Sequence, residues 1–65
     1  MPWRPLRFRF TGDGPDIAGP AELRVTYVGR ITRKEAEADA RRRFEEWSRL
    51  SDFSRRRACD QVVVR

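Results

Sequence analysis

The sequence predicts a small α+β domain of ββαβ order, a three-stranded, mainly antiparallel sheet with one helix packed on one face. Three patterns predict it. Apolar and polar residues alternate in two early segments, which is the period of a half-buried strand. A helical stripe of apolar residues follows a helix-capping sequence, and a run of valines closes the chain.

The first strand spans about 5–10, where Leu6, Phe8 and Phe10 alternate with Arg7 and Arg9. Pro5 suits a strand start. Thr11-Gly12-Asp13-Gly14-Pro15 breaks the alternation, and Gly19-Pro20 closes a loop predicted over 11–21. That connection is long for a hairpin, as functional loops and loose ones both are. The second strand, 22–28, places Leu23, Val25 and Tyr27 on one face and ends before Gly29.

The helix is predicted over 32–50. Thr32-Arg33-Lys34-Glu35 has the form of a capping box, in which a threonine hydroxyl and a glutamate satisfy early backbone N–H groups. Ile31 and Ala36 sit where a hydrophobic staple closes. Ala36, Ala40, Phe44, Trp47 and Leu50 share one stripe at helical spacing. Arg43 falls inside that stripe, so its stem is expected to cover Phe44 or Trp47 while its guanidinium reaches water. Glu37–Arg41 and Glu45–Arg49 are i,i+4 pairs in the favourable order. A basic linker, 51–57, precedes a last strand at 59–64. The expected core is Leu6, Phe8, Phe10, Val25, Tyr27, Phe44, Trp47 and Val63 or a neighbour.

Size bounds the rest. A chain of 65 residues has room for one domain with a thin core, and such chains bury only about 60% of their unfolded surface. One cysteine, Cys59, rules out an intrachain disulfide, and the absence of histidine rules out the common zinc cages. No metal or cofactor is expected. Self-association is the remaining route to extra stability, and the valine strand offers a sheet edge for a homodimer. Residues 1–10 lack the apolar run of a targeting signal, and no stretch approaches the ~20 apolar residues that span a bilayer. With an unpaired thiol, this composition suggests a cytoplasmic protein with no membrane partner.

Without histidine, the Ser-His-Asp and Cys-His arrangements and the commonest general base are missing. The chain therefore reads as non-enzymatic. One catalytic route stays open, a histidine-free ribonuclease drawing on Tyr27, Arg24, Arg30 and Lys34. Cys59 reads as a small buried thiol.

Fifteen basic residues against ten acidic ones leave a net charge of +5. That balance favours a polyanionic partner, DNA or RNA, although GC-rich coding produces the same arginine excess. Three basic groups are candidates for phosphate contact. Arg30, Arg33 and Lys34 lie at the helix N-terminus, where the backbone dipole attracts anions. Arg7, Arg9 and Arg24 project from the outer face of the first two strands. Arg55, Arg56 and Arg57 form a third group, either a solvated linker or a flexible arm. No exposed aromatic pair is interleaved with them, which argues against a base-stacking reader of single strands.

Thr26-Tyr27-Val28-Gly29, then Thr32 to Ala38 and Phe44-Glu45, resembles the strand-to-helix junction of the N-terminal arm-binding domains of phage-type integrases. The likeness covers under a third of the chain, and only two strands precede the helix here. It implies a sheet that enters a DNA groove.

A rival reading is a protein-interaction module or inhibitor of phage or bacterial type. It would grip a partner through Trp3, the acidic loop at Asp13 and Asp16, or the valine edge at Val62 and Val64.

Overall fold

The computed structural model describes residues 4–11 and 22–65. Trp3, Asp13, Asp16 and most of the expected loop lie outside the described residues. Five elements follow in order: β1 (Leu6–Thr11), β2 (Glu22–Val28), α1 (Arg33–Ser48), α2 (Asp52–Arg57) and β3 (Asp60–Val64). The three strands form one mixed sheet in the order β1-β2-β3. β1 and β2 are antiparallel, with Phe8 opposite Val25 and Arg9 opposite Arg24. β3 returns after the helices and runs parallel to β2, with Val25 beside Gln61 and Thr26 beside Val62. A parallel neighbour requires a crossover, which the helices supply.

The predicted alternation sets the two faces of the sheet. Leu23, Val25 and Tyr27 of β2 are fully buried under α1, together with Ala36, Ala40 and Trp47. Leu6, Phe8, Phe10, Ile31, Phe44, Ala58 and Val63 pack around them. The small side chains of Ala36 and Ala40 let the helix approach the sheet, and Trp47 fills the space towards its far end. Phe10 stacks on Phe44 at 4.9 Å between ring centroids, and Phe8 meets Tyr27 edge to face at 5.9 Å. Only β2 is covered on its core face along its whole length, so the central strand carries the interior.

α1 begins with the threonine half of the expected capping box. Thr32 is extended, and its Oγ1 accepts the Glu35 N–H at 3.2 Å. Arg49 caps its C-terminus.

The segment expected to be a basic linker is instead the short helix α2. Ser51 caps it, accepting the Ser54 N–H through its side chain. Asp52 lies in the first turn and Arg55, Arg56 and Arg57 in the last, the charge order that a helix dipole favours at both ends. Phe53, within that segment, is 68% exposed beneath the Arg57 guanidinium. Arg43 also departs from expectation. Its side chain stays 29% exposed, but its guanidinium donates to Asp39 Oδ2 at 2.7 Å and to Gln61 Oε1 at 2.9 Å, tying α1 to β3.

Gly29 ends β2 with φ at +108°, a backbone region that side chains oppose. A Cβ there would collide with the Arg65 carbonyl oxygen, so the chain just after β3 closes against this glycine. No described helix is long and apolar enough to cross a membrane.

Candidate functional site

The face of the sheet away from α1 carries the first basic group. Arg7 and Arg9 of β1 and Arg24 of β2 all project there, because each is out of phase with the buried residues of its strand. Register brings Arg9 directly across from Arg24, and Arg7 across from Thr26. These side chains line a shallow depression of about 450 Å³, with Asp60 on its far wall.

Two carboxylates temper this surface. Glu22 takes Arg24 Nε at 2.8 Å on one oxygen and Arg9 Nε at 3.3 Å on the other. The Glu22 hydrogen bond and charge, and then the charge of Asp60, raise the Arg24 pKa above its ordinary value. Arg7 has no carboxylate partner among the described residues. Among the described residues, the open face thus presents three guanidiniums against two acids, and Arg7 pairs with neither acid.

The second basic group does not join the first. Arg33 and Lys34 start α1 on the helix side of the sheet, beyond the end of β2 opposite to Arg24. Neither pairs with a carboxylate among the described residues. Arg30 and Arg65 line a separate hollow of about 450 Å³ with Ile31, Glu35, Asp39 and Arg42. The cations therefore form two surfaces, one on each side of the sheet.

The third group is partly absorbed by the fold. Arg55 stacks 6.0 Å above the Trp47 ring, pairs with Asp52 and lends its carbonyl to Trp47 Nε1 at 3.0 Å. It is a packing residue, not part of a flexible arm. Arg57 covers Phe53 from 5.6 Å, and only Arg56 and Arg57 are exposed.

A polar cluster missed by the sequence reading lies between β2, α1 and β3. The Tyr27 hydroxyl donates to Asp39 Oδ2 at 2.5 Å, and the same carboxylate accepts Arg42 and Arg43. The Tyr27 bond, followed by the Arg43 bond, holds Asp39 well below the usual carboxylate range. Burial, followed by the Asp39 bond, pushes Tyr27 up to about 12. The spacing of Asp39 to Arg42 and Arg43 was legible as i,i+3 and i,i+4 pairs. Its contact with Tyr27 comes from packing alone. This cluster also bears on the ribonuclease arrangement: Tyr27 faces the core and Arg24 the open face, so β2 holds those two side chains apart.

Beside the arginines, β3 is an edge strand. Val62 and Val64 share the open face with Asp60 and are 67% and 75% exposed, whereas Val63 packs on the core. Cys59 is half-buried, its Sγ donating to the Arg56 carbonyl at 3.2 Å.

No protein-family model matches the chain, nor does any curated protein or solved structure. The residues themselves carry the functional argument.

Proposed function

We infer that the chain is a non-enzymatic binding domain that contacts nucleic-acid phosphates through the open face of its sheet. The observation that carries this reading is the convergence of Arg7, Arg9 and Arg24 on one face, around a shallow polar depression. Guanidiniums present several donors in a plane suited to phosphate oxygens. The aromatic residues Phe8, Phe10 and Tyr27 all point into the other face, so among the described residues the surface offers charge without a base-stacking platform. Such contacts position a backbone and read no sequence. Arg33 and Lys34, with Arg30 beside them, form an auxiliary phosphate contact at the start of α1. Arg56 and Arg57 add charge from α2. A reducing cytoplasm suits the single thiol of Cys59.

Titration of the purified chain against random-sequence DNA and RNA at low and moderate salt tests this reading. Affinity is expected to fall steeply as salt rises, because phosphate neutralisation releases counterions. Absence of any complex at low salt overturns it.

The exposed valines of β3 favour a second reading, in which the chain grips a protein. Its signature is binding that is insensitive to salt and is abolished by charge at Val62.

A further inference from the structure

We propose that β3 pairs antiparallel with β3 of a second copy of this chain, about a two-fold axis at Val62, to form a continuous sheet across a homodimer. The argument begins with the backbone. The Cys59 carbonyl accepts the Arg24 N–H, and the Arg65 N–H donates to the Val28 carbonyl, so the backbone groups of odd-numbered residues along β3 face β2. The alternation of a strand turns the N–H and C=O groups of Asp60, Val62 and Val64 outward at the sheet edge. With Val62 opposite Val62 of the second copy, Asp60 falls opposite Val64 in both directions. Every outward group then meets a complementary one, each pair exchanging both of its hydrogen bonds.

Charge selects the direction. Parallel pairing in register would set Asp60 against Asp60 of the second copy. The antiparallel register keeps those carboxylates about 13 Å apart, at ~3.3 Å per residue.

The two edges of the sheet are treated differently. Pro5 precedes β1, and Arg7 and Arg9 project from it, features that discourage strand addition. β3 carries no proline, lysine or arginine within Asp60–Val64. Pairing also accounts for the valine run: Val63 serves the core, while on the open face Val62 meets Val62 of the second copy and Val64 lies diagonal to it. The assembled sheet would hold a valine cluster at its centre and an arginine group on each wing.

Sedimentation equilibrium of the wild-type chain over a hundredfold concentration range tests the proposal. The expected mass approaches twice the 7.7 kDa chain mass, with amide exchange at Asp60, Val62 and Val64 slowing as the dimer fills. Val62→Lys changes an exposed position and is expected to yield a monomer with unchanged circular dichroism. Val62→Pro removes an outward N–H and should do the same, so the two variants guard against misfolding of either. A wild-type monomer throughout, open-ended aggregation, or a dimer that survives both folded variants overturns the proposal.

Discussion

The Tyr27 hydroxyl and the Asp39 carboxylate meet at 2.5 Å, joining the central strand to the helix above it. Asp39 is also the acceptor for Arg42 and Arg43, and Arg43 reaches on to Gln61 of β3. One carboxylate therefore connects three elements. In so thin a core, this cluster substitutes for apolar contacts the chain is too short to make.

Removing the hydroxyl with Tyr27→Phe should cost about 1.5–3 kcal/mol, the net worth of a hydrogen bond to a charged group. Asp39→Ala should cost more, because the buried hydroxyl and Arg43 both lose their acceptor. Urea midpoints at neutral pH measure the difference. Equal losses from the two variants would mean that the carboxylate has no role beyond Tyr27.

The same pair sets the limits of pH stability. Asp39 is held below its ordinary value, so its contribution is complete above the unfolded carboxyl pKa and is lost as acid titrates it in the fold. Tyr27 moves the other way, from 10.0 up to about 12. Its contribution is complete below the unfolded value and is lost as pH rises through the folded one. Tyr27 is the only tyrosine, so tyrosinate absorbance reports it directly. Titration at the unfolded value in the native chain would contradict the burial.

On the open face, Arg7→Ala should weaken nucleic-acid binding and lower the salt slope by about 1, the value for one lost phosphate contact. Glu22→Gln should strengthen binding a few-fold, because it frees Arg9 and Arg24 from their shared carboxylate. Electrophoretic mobility shifts at several salt concentrations measure both. Weaker binding by Glu22→Gln would locate the contact elsewhere.

Gly29→Ala places a Cβ against the Arg65 carbonyl in a left-handed backbone. The expected cost is about 1–3 kcal/mol, typical of strain at such a site. Thermal unfolding checks it, and an unchanged midpoint would show that the end of β3 moves aside freely.

Local chemistry on its own determined the elements of this protein. Alternation at Leu6–Phe10 and Leu23–Tyr27, and the cap at Thr32, are set by residues only a few positions apart. They needed no partner to be read. α2 was legible in the same way, from Ser51 and Asp52 at its start and arginines at its end, but the arginine run concealed it. Tertiary structure alone decided which arginines remain on the surface. Arg43 and Arg55 carry the same side chain as Arg7, yet packing against Asp39, Gln61, Trp47 and Asp52 draws them into the fold. Register, which couples residues far apart in the chain, set Arg9 beside Arg24 and placed Glu22 between them. A charge count cannot contain that information, because the effect of a charge depends on what folding brings within a few ångströms of it.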